Sequence, residues 1–297
     1  LLAECFRDAG LPDGVINYVT GPGRTLGQAL ISCNEVDGVT FTGSLDVGTR
    51  IYRDFAGCNY LRPIILELGG KNPAVVTRNA DIERAAVGIV RSAFGLQGQK
   101  CSACSRIYIE EPVYDALVGR IVELTEKLAI GDPTERSVYL GPVINQNSYQ
   151  EYQQFTDELA QAGTILTGGK VLTDGAFGKG FFCMPTIAAD VPLHHRLWKQ
   201  EMFLPISMVT KVKDLAEALR LANDTEYGLT AGFYGAEDEM QTFFDQIQAG
   251  VSYANRPQGA TTGAWPGFQP FGGWKGSGSS GKNAGGHYYL PLYMREQ

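Results

Sequence analysis

The stretch Leu66-Glu67-Leu68-Gly69-Gly70-Lys71-Asn72-Pro73 continues an apolar run that begins at Ile64. The run predicts a buried β-strand over residues 64–68 that ends at a glycine pair. Ligands of open α/β sheets gather at the carboxyl ends of the strands. A carboxylate with an apolar approach at such an end, here Glu67, is a candidate general base with a raised pKa. The alternative is a surface glutamate before a turn.

Outward from this strand, short apolar runs alternate with helix-periodic segments. Further strands are predicted at residues 15–19, 39–42, 107–109, 206–212 and 230–234. Helices are predicted at residues 1–9, 25–33, 45–56, 82–94, 112–128, 146–162, 214–223 and 238–248. Strands that alternate with helices in this way predict an α/β fold with doubly wound parallel sheets. The apolar run 288–293 after the glycine-rich tail predicts a last strand that pairs with another subunit.

The composition excludes several classes of protein. The chain has 297 residues, 44% of them apolar and 19% charged, which is typical of a globular protein. A net charge of −7 argues against nucleic-acid binding, which needs a basic surface. No apolar run is long enough to cross a bilayer, so we expect no membrane partner and a cytoplasmic location.

The segment Gln97-Gly98-Gln99-Lys100-Cys101-Ser102 carries a candidate nucleophile. Backbone N–H groups and a nearby cation stabilise a thiolate, and a close turn at Gly98 leaves the Cys101 amide free for an oxyanion. A structural cysteine is the alternative. Cys101 and Cys104 also form a C-x-x-C pair, which raises the alternatives of a zinc site or a redox dithiol. A zinc site lacks a second ligand pair, so we expect no metal and a packing role for Cys104.

Two further segments suggest a nucleotide site. Phe41-Thr42-Gly43-Ser44 is a strand end, a glycine turn and a helix cap, an arrangement that presents N–H groups to a phosphate. Gly21 lies in a second glycine-containing loop that could help to cradle a dinucleotide. Glu201 has a carboxylate suited to ribose hydroxyls, and Phe203 has a ring suited to a nicotinamide face. Loop and core roles remain the alternatives for all of these residues.

Taken together, these segments resemble the aldehyde dehydrogenase superfamily in order and spacing. The resemblance rests on LELGGKNP, on QGQKC with Cys101 34 positions after Glu67, on E-x-F-x-P, and on Pro270-Phe271-Gly272-Gly273. It implies that Cys101 is the nucleophile and Glu67 the base, and that NAD or NADP is the cofactor. Gly43 and Ser44 would then lie on the cofactor phosphates, Glu201 on the nicotinamide ribose and Phe203 beside the nicotinamide. Leu204 departs from the glycine that the family usually has there.

Within the superfamily the chain looks most similar to 1-pyrroline-5-carboxylate (glutamate semialdehyde) dehydrogenases, through QGQKCSA and the segment 262–271 that includes Trp265, Pro266 and Gly267. This resemblance implies an NAD(P)-dependent oxidation of glutamate semialdehyde to glutamate in proline catabolism. The matching substrate-binding positions are Ser102, Gly263, Ala264 and Phe271. A general aldehyde dehydrogenase, an inactive truncated paralogue and a thiolase-type transferase are the alternatives.

The resemblance also implies a division of the chain. Residues 1–69 would be the C-terminal half of the NAD(P)-binding domain, residues 70–270 the catalytic domain, and residues 271–297 a C-terminal segment with an oligomerisation strand. A tail strand that pairs across subunits predicts a homo-oligomer. Leu1 begins inside a helical pattern, and the family's earlier cofactor strands would precede it. We therefore expect this chain on its own to be inactive.

Overall fold

The computed structural model describes residues 1–57, 61–264 and 268–294. Within these ranges the α-helices are α1 Leu2–Asp8, α2 Gln28–Ser32, α3 Leu45–Ala56, α4 Ile82–Phe94, α5 Glu111–Glu126, α6 Gln146–Ala162, α7 Leu215–Asn223 and α8 Glu237–Gln246. The β-strands are β1 Val39–Thr42, β2 Ile64–Glu67, β3 Asn72–Val76, β4 Cys104–Glu110, β5 Thr164–Thr167, β6 Val171–Leu172, β7 Phe182–Cys183, β8 Thr186–Ala189, β9 Ile206–Val212, β10 Tyr227–Gly228, β11 Thr230–Tyr234, β12 Val251–Ala254 and β13 Trp274–Lys275.

Short polar side chains begin three of the longer helices. The Asp81 carboxylate accepts the Arg84 N–H at the start of α4, and the Asp214 carboxylate accepts the Glu217 N–H at the start of α7. Asn145 does the same for α6 through the Ser148 N–H. These caps satisfy N–H groups that have no partner within the helix, which is why the helix starts could be predicted from the sequence.

A seven-stranded sheet forms the centre of the fold, in the order β12-β11-β3-β4-β9-β8-β5. All neighbouring strands run parallel except β5, which pairs antiparallel with β8 at one edge. The predicted α/β class is therefore confirmed, with the correction that the sheet is mixed. Residues on alternate sides of β4 enter two different hydrophobic clusters, Tyr108 in one and Ile107 and Ile109 in the other. Both faces of the sheet are thus covered, as the apolar character of its parallel strands requires.

The chain divides into two compact units. One unit comprises Leu1–Val39 and Thr49–Ile64. Within this unit the Arg62 guanidinium donates to the Cys33 carbonyl over 2.9 Å and lies 3.8 Å from the ring centre of Phe55. The other comprises Thr40–Gly48 and Ile65–Gln297 and contains the seven-stranded sheet.

Some predicted elements were wrong or missed. Residues 15–19 do not form a strand, and Val15, Tyr18 and Val19 are exposed, because this run has no apolar surface or neighbouring strand to pair with in the described structure. Strand β3 was missed because it begins directly at Asn72 and Pro73, residues that are unfavourable in most strands. Strands β5, β8 and β12 were also missed. The tail strand is not formed within one chain: Leu290–Tyr293 is a 3-10 helix. Pairing of this tail with another subunit stays a prediction.

Candidate active site

Glu67 is the last residue of β2, and hydrogen bonds of the neighbouring backbone hold it. Its carbonyl oxygen accepts the Gly43 N–H over 3.2 Å, and the Leu68 N–H donates to the Ser277 carbonyl over 3.0 Å. The side chain is buried, and its Oε1 has no hydrogen-bond partner among the described residues. Burial raises the pKa of Glu67 to about 7, although a hydrogen bond from the Asn283 side chain opposes the rise. A carboxyl group with this pKa can take up and release a proton near neutral pH.

The glycine pair after Glu67 lets two other functional groups approach the backbone. The Gly70 N–H donates to Glu201 Oε1 over 2.8 Å. A Cβ atom on Gly69 would collide with the Glu201 carboxylate, and one on Gly70 would collide with the Cys101 carbonyl oxygen. Only glycine allows such a close approach, so the pair brings the Cys101 loop and the Glu201 carboxylate to the same short segment.

The loop before Cys101 has an unusual backbone. Leu96, Gln97 and Gly98 are all left-handed, with φ of 54°, 57° and 66°. A Cβ on Gly98 would collide with the Leu204 carbonyl, so this position requires glycine for space as well as for its φ. Three consecutive left-handed residues are costly for non-glycine side chains and are found mainly at functional sites.

Two buried polar side chains fix the backbone of the cysteine loop. Asn72 Nδ2 donates to the carbonyl oxygens of Cys101 over 2.8 Å and Ala103 over 2.9 Å. Thr261 Oγ1 donates to the Ser102 carbonyl over 2.7 Å. The loop is therefore hydrogen-bonded to β3 and to the segment that follows β12. Asn72 and Thr261 were missed as site residues, because a polar side chain that binds backbone carbonyls has no sequence pattern of its own.

The electrostatic environment links Cys101 to both carboxylates. Burial raises the pKa of the Cys101 thiol to about 11, and the negative charges of Glu67 and then Glu201 add to the rise. Hydrogen bonds from the backbone N–H groups of Ser102 and Cys101 act in the opposite direction. The structure therefore brings together three of the predicted site residues: Cys101, Glu67 and Glu201. The thiol form of Cys101 dominates at neutral pH in this state.

Phe203 lies beside Glu201 with its ring 45% exposed and a φ of 54°. A small cavity is lined by both residues and by Gly70, Lys100, Cys104 and Leu204. Leu204 is also buried in the hydrophobic core. Cys104 packs in the core as predicted, and its thiol donates to the Arg106 carbonyl over 3.7 Å.

The predicted phosphate-binding residues lie where β1 ends and α3 begins. Thr42, Gly43 and Ser44 are exposed and Phe41 is half-buried. Ser44 Oγ accepts the Val47 N–H over 3.4 Å, as expected for a helix cap. The Gly43 N–H, however, donates to the Glu67 carbonyl and is not free for a phosphate. Gly21 is exposed and belongs to the other compact unit.

The predicted substrate-binding residues are only partly connected. Ser102 is half-buried, and its carbonyl accepts a hydrogen bond from the Thr261 hydroxyl. Gly263 lies two positions after Thr261 and has a φ of 102°, which favours glycine. Ala264 is half-buried next to Gly263. Phe271 pairs with Ala284 through two backbone hydrogen bonds of 2.7 and 2.9 Å. Trp265, Pro266 and Gly267, on which part of the resemblance rests, lie outside the described residues.

Comparison with known proteins identifies the family. Residues 1–297 match the model of the aldehyde dehydrogenase family, so the chain belongs to this family. The chain is 44% identical to 1-pyrroline-5-carboxylate dehydrogenase of Geobacillus sp. (strain WCH70), over 99% of this chain and 56% of that protein. The corresponding protein of Geobacillus kaustophilus (strain HTA426) is 43% identical over 98% of the chain and 56% of its own length.

Solved structures give the same result. A Thermus 1-pyrroline-5-carboxylate dehydrogenase with bound NAD superposes with a TM-score of 0.92 at 37% identity, over 99% of this chain and 56% of that one. A betaine aldehyde dehydrogenase from Staphylococcus aureus in complex with NAD+ has a TM-score of 0.88 at 29% identity, over 94% and 54%. The chain thus spans about half the length of the relatives it matches. Among the described residues, none of the helices has the length and hydropathy of a membrane span.

Proposed function

We propose that the protein containing this chain is an NAD(P)-dependent aldehyde dehydrogenase in which Cys101 is the nucleophile and Glu67 the base. The observation that carries the proposal is the glycine pair after Glu67, against which the Cys101 carbonyl and the Glu201 carboxylate both lie. The charge of the buried Glu67 carboxylate also raises the pKa of the Cys101 thiol, after burial as the larger cause. A sulfur nucleophile and a carboxylate with a pKa near 7 in one site fit an acyl transfer to water.

In the proposed reaction, the Cys101 sulfur adds to the aldehyde carbon and forms a thiohemiacetal. The backbone N–H groups at Cys101 and Ser102 are suited to stabilise negative charge close to the sulfur. The thiohemiacetal would then lose a hydride to the nicotinamide cofactor and its hydroxyl proton to solvent, which would leave a thioester on Cys101. Glu67 then removes a proton from a water molecule, the water attacks the thioester, and the carboxylate product leaves as the thiol is restored.

The chain's own residues fit part of an NAD site. Glu201 has a carboxylate oriented by the Gly70 N–H, which suits ribose hydroxyls, and the Phe203 ring is exposed beside it. Thr42 and Ser44 are exposed at the N-terminus of α3, where an anion is favoured. NAD, when bound, supplies the acceptor for the hydride. The Gly43 N–H already donates to the Glu67 carbonyl, so it is not free for a phosphate in this structure. Gly21 stays a predicted cofactor contact.

Glutamate semialdehyde is the proposed substrate. The relatives that share more than 40% identity with the chain are named 1-pyrroline-5-carboxylate dehydrogenases. Ser102, Gly263, Ala264 and Phe271 are the positions proposed to bind its α-carboxylate and aliphatic stem. The hydrogen bond from Thr261 to the Ser102 carbonyl supports this grouping, because it ties the residue after the nucleophile to the start of that loop. Turnover of glutamate semialdehyde and of propanal by the full-length enzyme would separate this substrate from a general aldehyde.

The division of the chain remains part of the proposal: a nucleotide-binding part over residues 1–69, a catalytic part over 70–270 and an oligomerising segment over 271–297. The exposed side chains of Tyr288, Leu290, Tyr293 and Met294 support an assembly role for the tail, since a tail that packs on another subunit would bury them.

The test of the chemistry is a rapid-mixing measurement of NADH formation on the full-length enzyme. Cys101→Ser should abolish the burst of NADH, because the thiohemiacetal does not form. Glu67→Gln should keep the burst and slow the following turnover about 10²-fold or more, because thioester hydrolysis loses its base. Equal bursts in the wild type and Cys101→Ser would exclude Cys101 as the nucleophile.

A further inference from the structure

Two buried cations, Lys71 and Arg106, lie side by side in this fold. Lys71 is 2% exposed and Arg106 is 1% exposed. Among the described residues, no carboxylate oxygen lies within 4.0 Å of either side-chain cation. All five N–H groups of the Arg106 guanidinium have acceptors, but these are the carbonyls of Lys71, Leu221 and Ala222 and the hydroxyl of Tyr108, which are neutral. The positive charge of Arg106 is therefore solvated by dipoles and not neutralised.

Lys71 is in a different situation, because its ammonium group has no partner. The Nζ atom makes no hydrogen bond to any described residue although it is buried. Burial lowers the pKa of Lys71 to about 7, and the charge of Arg106 adds to the fall, whereas the negative charge of Glu201 opposes it. A buried ammonium without a hydrogen bond is costly and is normally avoided in folded proteins.

A second buried polar atom is also without a partner, and it borders the same space. Thr230 Oγ1, on β11, has no hydrogen-bond partner among the described residues, and Thr230 is 1% exposed. Lys71, Arg106 and Thr230 all line one small cavity. Asn223 and Gln248 also line it, and Gln248 is exposed, so the cavity approaches the surface on that side.

The lining of this cavity carries cations and no carboxylate: no aspartate or glutamate is found among the described residues that line it. Two carboxylates outside the lining act on its cations. Glu201, which accepts the Gly70 N–H, raises the pKa of Lys71, and Asp224 pairs with Lys199 over 2.8 Å. Lys275 adds a third cation nearby, since its Nζ donates to the Asn223 carbonyl over 2.7 Å. Burial and then the charge of Arg106 lower the pKa of Lys275, and the charge of Asp224 opposes them.

We propose that this cavity is a binding site for a small monovalent inorganic anion, a halide such as chloride, that accepts hydrogen bonds from Lys71 Nζ and Thr230 Oγ1. Such an ion would neutralise one of the two buried charges and satisfy both unpartnered donors. The cavity is too small for a nucleotide or an amino acid, and its lining carries no acidic residue that a metal cation would need. Lys71 lies directly before β3 and Thr230 is the first residue of β11. Cys101 does not line the cavity, and the proposal does not depend on the proposed reaction.

The direct test uses bromide, which replaces chloride and scatters anomalously. Crystals of the full-length protein grown in bromide should show an anomalous peak within hydrogen-bond distance of Lys71 Nζ and Thr230 Oγ1. Density for a water molecule without an anomalous peak at that position would overturn the proposal.

A solution test measures thermal unfolding at constant ionic strength while chloride replaces methanesulfonate, an anion too large for the cavity. Chloride should raise the unfolding temperature by about 2 °C at ten times its dissociation constant. Lys71→Met should lose this response, and the exposed matched control Lys213→Met should keep it. If Lys71→Met does not fold, Thr230→Val provides the same comparison and should show a weakened response. An equal chloride response in the wild type and Lys71→Met, or in the wild type and Thr230→Val, would also overturn the proposal.

Discussion

Asn72 holds the backbone of Cys101 through a hydrogen bond from its Nδ2 to the Cys101 carbonyl oxygen over 2.8 Å. The same nitrogen donates to the Ala103 carbonyl, and Oδ1 accepts the Thr230 N–H over 3.1 Å. One buried amide thus joins β3, the cysteine loop and β11. It fixes the backbone on which the candidate nucleophile is carried.

Asn72→Ala should destabilise the protein and loosen the cysteine loop. The variant leaves two carbonyls and one N–H without a partner in a buried site, which costs about 2–4 kcal/mol of unfolding free energy. Chemical denaturation of the purified protein measures this loss.

Asn72→Asp provides a matched variant of nearly the same shape. Its carboxylate keeps an acceptor for the Thr230 N–H but cannot donate to the Cys101 and Ala103 carbonyls. We expect it to be at least as destabilising as Asn72→Ala. A wild-type unfolding midpoint for Asn72→Asp would show that the two carbonyl contacts do not matter.

The sequence was sufficient to predict the elements whose local signals agree with the fold. Helix α4 was predicted at residues 82–94 because Asp81 is a strong cap and the apolar residues recur at helical spacing, and the structure has the same bounds. Strand β9 was likewise predicted at its observed bounds. Strand β3 could not be predicted, because its buried asparagine and proline are stabilised by distant parts of the chain, namely β4, β11 and the cysteine loop.

For the site, the sequence indicated Cys101, Glu67 and Glu201 but not how they are arranged. That arrangement depends on Gly69 and Gly70, whose missing side chains allow the close contacts, and on Asn72 and Thr261, which bind backbone carbonyls. Such contacts join residues far apart along the chain, so no local pattern reveals them. The Gly43 N–H is a further example. The glycine turn predicted that this N–H is free for a phosphate, but it donates to the Glu67 carbonyl, which is distant in sequence.

Removing the charge of Glu67 should make Cys101 more reactive toward an alkylating agent in the free protein. The Glu67 carboxylate raises the pKa of the Cys101 thiol, so Glu67→Gln should lower that pKa and increase the thiolate fraction at pH 8.5. The rate of Cys101 alkylation by iodoacetamide, followed by peptide mass spectrometry, should rise about threefold or more. Glu201→Gln should act in the same direction and less strongly, because Glu201 is the smaller of the two charge effects.

Glu237→Gln, at the exposed start of α8, is the matched control and should leave the alkylation rate unchanged. The sign of the result for Glu67→Gln is decisive. A slower alkylation would mean that Glu67 deprotonates Cys101 in the free protein, against the electrostatic effect inferred from the structure.

Hydrolysis of the acyl-enzyme should depend on pH with a midpoint near 7. In the proposed reaction Glu67 accepts a proton from water, which it can do only when ionised, and burial raises its pKa to about 7. The rate should therefore be maximal above pH 8 and fall about tenfold for each pH step of one below pH 6. Rapid mixing of preformed acyl-enzyme into buffers of different pH measures this profile. A midpoint near 4.5, the value for an exposed glutamate, would contradict a buried base.

The raised pKa of Glu67 should also make the folded state less stable as pH rises, whereas the hydrolysis rate should increase with pH. The folded state binds the Glu67 proton more tightly than the unfolded chain, so the Glu67 contribution to stability is greatest below pH 4.5 and is lost as pH rises through about 7. Glu67→Gln remains neutral at every pH. Its unfolding free energy relative to wild type should therefore increase between pH 5 and pH 8, and denaturation at both values measures this change. A difference independent of pH would contradict the tight binding of a proton by folded Glu67.

Gly70→Ala tests whether the site needs close contact between the glycine pair and the cysteine loop. The added Cβ would collide with the Cys101 carbonyl oxygen and lie 2.7 Å from Asn72 Oδ1, and neither the backbone nor a buried amide can move away easily. Overpacking of this kind costs about 1–3 kcal/mol of unfolding free energy. The Cys101 loop should also shift, which would change the alkylation rate of Cys101.

Gly119→Ala is the matched control. Gly119 lies in α5, and a Cβ there meets nothing within 4 Å. Alanine is also the better helix former by about 0.5–1 kcal/mol. The two variants add the same methyl group, so equal stability of Gly70→Ala and Gly119→Ala would show that the glycine at position 70 is not required for the approach of Cys101.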